Sequence, residues 1–129
     1  RIASVFVEDQ ARAETFYTNT LGFVKKSDVQ VGKFRWLTVV SPGNPDGPEL
    51  LLEPNDNPAA RTFQKAIFDQ GIPATVFFVE DIQETYDVLS KRGATFTIEP
   101  TDAGSTIIAV FDDTCGNLIQ LAQEKESSQ

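Results

Sequence analysis

Histidine and methionine are absent from the 129 residues, and cysteine and tryptophan occur once each. Without histidine, every His-containing metal site, His-based triad and imidazole general base is excluded. One cysteine excludes an intrachain disulfide, a CxxC redox pair and a thiolate zinc site. Positive charge is scarce as well: 11 Lys and Arg against 19 Asp and Glu give a net charge of −8. That balance argues against nucleic acid and anionic membranes as partners, since both are approached through basic patches. No apolar run approaches the roughly 20 residues of a membrane span. Residues 1–9 alternate like a strand and do not read as a charged head with an apolar signal core. A lone thiol without such a signal points to the cytoplasm. What is present is ordinary for one folded domain, with 40% hydrophobic residues, ten of them phenylalanine.

The informative pattern is internal. Phe6-Val7-Glu8-Asp9 recurs as Phe78-Val79-Glu80-Asp81, 72 residues later. Each copy follows an apolar run and precedes about a dozen residues of helical spacing that end at a glycine, Gly22 or Gly93. Asp9 and Asp81 stand where a strand yields to a helix, and their carboxylates can accept from free first-turn N–H groups. Glu84 completes a capping box with Asp81. Ala13, Phe16, Tyr17 and Leu21 share one helix face; Ile82, Tyr86 and Leu89 share the other. Three strand-like segments follow each glycine, so each half reads βαβββ.

These features predict an α+β protein of two tandem βαβββ modules, each a curved mixed sheet, with the concave sides facing across a cleft. Module 1 spans about residues 2–55, a linker helix about 56–71, module 2 about 72–123, and a flexible polar tail 124–129. In the linker, Asn57 caps, Pro58 suits the first turn, and Phe63 with Ile67 forms the apolar stripe.

The order and spacing of Phe-Val-Glu-Asp, Ala13, Phe16-Tyr17, Leu21-Gly22-Phe23, Val79-Glu80-Asp81-Ile82, Arg92-Gly93 and the run from Phe111 to Ile119 resemble the vicinal oxygen chelate superfamily. This grouping includes glyoxalase I, bleomycin-resistance proteins, fosfomycin-resistance enzymes and extradiol dioxygenases. The resemblance implies a divalent metal in catalytic members, held by His or Glu on the first and last strand of each module. Here those positions fall on Ile2, Leu51, Ala74 and Gln120. Hydrocarbon side chains cannot ligate, and a neutral amide is a poor partner for a transition metal. A register slip of two would bring Glu49 or Glu53 to the place of Leu51. The expectation is a chain with no metal and no cofactor.

The same resemblance places Ser4, Phe6, Val76, Phe78 and Gln120 on the cleft face, a mostly apolar lining with a few polar groups. They either wall a pocket or fill the interior of two facing sheets. Trp36 reads as an aromatic wall for a planar ligand or as a shield over the core. Strand parity leaves open whether Trp36 or Arg35 enters the cleft, and an unpaired buried Arg35 would be costly. Glu49 and Glu53 share a strand face; one of them in an apolar cleft could act as a general base, or both are solvated edge carboxylates. Cys115 and Asp112-Asp113 read as turn chemistry, because no neighbouring group activates the thiol. The first function expected is metal-independent binding or sequestration of a small molecule, aromatic or cationic, as in the bleomycin-resistance branch. The second is a glyoxalase-like lyase or isomerase with a carboxylate base, and the third a dimeric regulatory or assembly module. A homodimer is implied by the family's habit of packing modules across chains.

Overall fold

The computed structural model describes residues 2–125. Strand β1 (Ile2–Val7) leads into helix α1 (Gln10–Thr15), which continues as a π-helical segment over Phe16–Thr20. Strands β2 (Val24–Val31), β3 (Phe34–Val40) and β4 (Glu49–Pro54) complete the first half. Helix α2 (Pro58–Asp69) connects to the second half. That half comprises β5 (Thr75–Phe78), α3 (Ile82–Lys91), β6 (Thr95–Asp102), β7 (Thr106–Asp112) and β8 (Leu118–Glu124). Two four-stranded sheets result, ordered β1-β4-β3-β2 and β5-β8-β7-β6. In each, the first strand lies parallel to the last and the remaining pairs are antiparallel. This is the expected pair of βαβββ units in an α+β fold.

The helix starts follow their capping residues. Asp9 accepts from the Arg12 amide and Asp81 from the Glu84 amide, both at 3.0 Å, and Asn57 accepts from Ala59 at 2.8 Å. Gly22 and Gly93 take φ of +86° and +99°, a conformation that ends each helix at no Cβ cost. The 72-residue offset extends past the helices. It matches Leu37 with Ala109 and Val39 with Phe111 in β3 and β7, all buried.

One continuous core joins the two halves. It takes Val5, Val7, Leu37, Val39, Leu50 and Leu52 from the first sheet, and Ala109, Phe111, Ile119 and Leu121 from the second. Ala13, Phe16, Tyr17, Ile82 and Leu89 contribute from the helices. Phe16 packs against Phe111 at 6.2 Å and Phe23 against Phe77 at 5.4 Å, so these aromatics bridge the modules. The faces that meet are therefore the helix-bearing ones. On the opposite faces Thr38, Val40, Leu51, Val110, Leu118 and Ala122 are buried, whereas Ile2, Trp36, Val76 and Phe78 stand exposed.

Two local expectations are corrected. In α2 the buried residues are Ala60 and Gln64, while Phe63 is 59% exposed. The helix lies against loop amides and a strand end, which need a hydrogen-bonding side chain more than an apolar one. Strand β8 runs through Glu124, one residue past the expected end of module 2, and the Gln123 side chain accepts from the Ile82 amide at 2.8 Å. Residues 126–129 of the polar tail lie outside the described residues.

Candidate functional site

The open face of the first sheet is assembled by register. β1 beside β4 sets Ile2 next to Glu49, Ser4 next to Leu51 and Phe6 next to Glu53. β2 beside β3 sets Val29 next to Trp36 and Val31 next to Phe34, while Thr38 lies next to Leu51 across β3 and β4. Trp36 is 41% exposed, so it does not shield the core. It joins Phe34, Leu51 and Glu53 around a shallow recess of about 280 Å³. Glu53 also borders a second recess with Phe6 and Phe63. A carboxylate among aromatic and aliphatic walls can orient a planar ligand that carries positive charge or a donor.

Strand alternation turns Arg35 away from this face, toward α1. There its guanidinium donates to Glu14 and, at 2.9 Å, to Asp28. Hydrogen bonds from Arg35 and then Lys25 hold the Asp28 carboxyl well below the usual carboxylate range. Arg35 thus meets carboxylates of its own chain. Glu49 accepts from the Thr38 hydroxyl at 2.7 Å, which fixes its carboxylate beside Ile2.

The remaining expected cleft residues are dispersed. Ser4 and Phe6 border a third recess, with Ala74 and Phe63. Val76, Phe78 and Gln120 lie on the second sheet, with Val76 beside Gln120 and Phe78 beside Ala122. Within one chain, Trp36, Phe6 and Glu53 form a contiguous patch, and Val76, Phe78 and Gln120 form another. The two patches do not share a recess.

The four positions that resemblance assigned to metal also divide between the sheets: Ile2 and Leu51 on the first, Ala74 and Gln120 on the second. Three of the four are hydrocarbons, so this donor set does not fit a divalent ion. Among the described residues, no three His, Cys, Asp or Glu side chains gather to hold one.

A buried polar network went unseen in the sequence. Asp113, read there as turn chemistry, is fully buried. It accepts from the Tyr17 hydroxyl (2.7 Å), the Cys115 amide (2.7 Å), the Asn117 amide (3.0 Å) and Asn117 Nδ2 (2.8 Å). Gln64 Nε2 reaches the Phe6 carbonyl (2.9 Å), the Cys115 carbonyl (3.1 Å) and Asn117 Oδ1 (3.1 Å). Asn117 Nδ2 also donates to Phe6 at 2.7 Å. Burial pushes the Asp113 carboxyl up from its ordinary value, against the four donors that lower it. Burial and then the Asp113 charge push the Cys115 thiol up to about 11. The network is a fastening between modules, not a reactive centre. A signal for it did exist: Gly116, at φ +96°, allows the tight return that sets Asn117 over Asp113.

The family model described as the Glyoxalase/Bleomycin resistance protein/Dioxygenase superfamily matches residues 1–121. The chain belongs to this superfamily. It is 60% identical to the uncharacterized protein YurT of Bacillus subtilis (strain 168), over 95% of this chain and 97% of that one. The crystal structure of UcmS2 shares the superfamily fold at a TM-score of 0.81 and 33% identity, covering 94% of each chain. TnmS3, an antibiotic binding protein from Streptomyces sp. CB03234, superimposes with a TM-score of 0.76 at 26% identity, covering 96% of this chain and 93% of that one. Among the described residues of this superfamily member, no helix is long and apolar enough to cross a membrane.

Proposed function

We propose that this protein binds a small molecule without a metal ion, and that the Trp36 face is the binding surface. The observation that carries the reading is the half-exposed indole of Trp36 beside Phe34, with the Glu53 carboxylate at the rim of the same recess. Aromatic surface left in water on a sheet face is a disposition suited to stacking on a planar ligand. The carboxylate adds a preference for a cationic or hydrogen-bond-donating substituent. The likeness to an antibiotic binding protein supports the same reading. In this proposal the two patches meet across a homodimer, where a second copy covers the open faces. The acidic chain and single thiol fit a cytoplasmic role.

Trp36 is the sole tryptophan, so its fluorescence reports the site directly. A panel of planar aromatic compounds, with and without an amine, is expected to quench or shift it with saturation. Glu53→Gln should weaken the amine-bearing members by about tenfold, near 1.4 kcal/mol, and leave neutral ones unchanged. A panel that leaves the emission untouched would sink the proposal. Light scattering on the purified protein tests the dimer.

A further inference from the structure

The duplication supplies an internal reference for reading the molecule's cavities. Positions 72 apart match Val7 with Val79, Ala13 with Thr85, Tyr17 with Leu89 and Asp113 with Ser41. At the first junction the loop over residues 113–117 closes on β1 and α1. The Tyr17 ring fills the interior and its hydroxyl donates to Asp113. The Glu8 amide donates to Cys115 at 3.1 Å, and the Phe6 carbonyl at the outer edge of β1 is covered by Gln64 and Asn117.

At the second junction the matching residues are too short to do this. Leu89 replaces the phenol and exposed Ser41 replaces the buried carboxylate. Among the described residues, no hydrogen bond joins the loop over residues 41–48 to β5 or α3. The loops also diverge in build: residues 41–48 run three longer than residues 113–117, and Pro42 stands at the position of Thr114, whose φ of +66° a proline ring cannot adopt. What remains is a recess of about 370 Å³. Its walls are Phe23, Phe77, Leu89 and Leu121, with the Ser41 and Thr85 hydroxyls at the margin and no charged side chain in the lining.

β5 is an outermost strand, so one of its edges carries unpaired backbone groups. The Val79 amide donates inward to Ala122 at 2.9 Å. Alternation then turns the Phe78 amide and carbonyl to the free edge, at the recess. This carbonyl matches the Phe6 carbonyl that Gln64 and Asn117 occupy in the other half.

We propose that this recess is a second binding site, separate from the Trp36 face, for a small aromatic molecule bearing a hydroxyl or similar donor. The ring takes the place that Tyr17 occupies at the first junction. Its donor bonds to the Phe78 carbonyl or to Ser41. An apolar recess with a few hydrogen-bonding groups at one end is the usual composition of such a site.

The test uses 2-naphthol as the probe and backbone amide shifts of the intact protein as the readout. Saturable shifts are expected at Leu21, Phe23, Val79, Thr85 and Leu89. Leu89→Tyr combined with Ser41→Asp installs the filling of the first junction and should weaken binding at least tenfold. Ser41→Phe blocks the mouth from an exposed position and serves if the double variant does not fold. Trp36→Ala should leave these shifts in place, which separates this site from the one proposed above. Shifts confined to Phe34, Trp36 and Leu51, or affinity unaltered by the blocking variants, would overturn the assignment, as would no saturable shift.

Discussion

The two junctions between modules use the same strand-to-helix unit, yet only one is closed. At the first, Asp113 gathers four donors from three residues, and Gln64 spans β1, α2 and the loop between β7 and β8. At the second, Ser41 takes the carboxylate's position and an apolar recess lies behind it. The comparison shows how a duplicated fold can divide labour. Hydrophobic contact alone supports both junctions, since Phe16, Phe23, Phe77 and Phe111 connect the halves regardless. Polar closure is an addition, made once. The half without it keeps space for something else.

The sharpest way to break that contrast is to remove the carboxylate. Asp113→Ala leaves the Tyr17 hydroxyl, two amides and the Asn117 side chain without their acceptor. A buried donor left unpaired costs about 1–3 kcal/mol, so the loss is expected at about 3–5 kcal/mol once partial relaxation is allowed. That is a large share of the roughly 5–15 kcal/mol that holds a domain together. Ser41→Ala at the matching position removes a single exposed contact, the Gly43 amide at 3.3 Å, and should stay within about 0.5 kcal/mol. Urea unfolding of both variants checks the pair. Equal losses would mean that the junctions are alike after all.

Cysteine chemistry reads the closed junction at a smaller amplitude. The Cys115 thiol is buried and pushed up to about 11 by burial and the Asp113 charge. At pH 8 its thiolate fraction is therefore roughly two hundredfold below that of a free cysteine. Iodoacetamide should modify the native protein more slowly than a small free thiol by at least that factor, and the unfolded chain at the ordinary rate. Asp113→Ala lowers the barrier to opening and removes the nearby negative charge, so both effects should accelerate labelling. A native rate equal to that of the unfolded chain would show that the loop does not hold.

The fold was legible because its signals are local and repeated. Phe-Val-Glu-Asp marks a strand that ends in a capping aspartate, and the structure continues the same offset into β3 and β7. The Trp36 face was half legible. Period-two alternation limited the choices to Trp36 or Arg35, and the positions of Glu14 on α1 and Asp28 on β2 decide between them. Of the polar fastening only the Gly116 turn was legible, since Phe6, Gln64 and the loop carrying Asp113 and Asn117 lie far apart in sequence. A glutamine between Phe63 and Lys65 reads as surface until the loop it serves is in place.

The last difference between the junctions lies in a backbone angle. Thr114 holds φ at +66°, a region where a β-branched side chain crowds its own carbonyl at a cost of about 1–2 kcal/mol. The angle persists because its neighbours fix it. The Thr114 amide donates to Asp112 at 2.7 Å, and Arg12 Nε donates to the Thr114 carbonyl at 2.9 Å. Asparagine tolerates that region and keeps both backbone bonds, so Thr114→Asn should stabilise the protein by about 1 kcal/mol in urea unfolding. The side chain is exposed, so little packing is lost. In an Asp113→Ala background the loop is no longer held to this geometry, and the same substitution should give less than half that gain. An undiminished gain would place the strain in the loop alone and sever it from the carboxylate. A gain that disappears with Asp113 identifies the strained turn as one more cost that the polar closure carries, and that the Pro42 half of the molecule avoids.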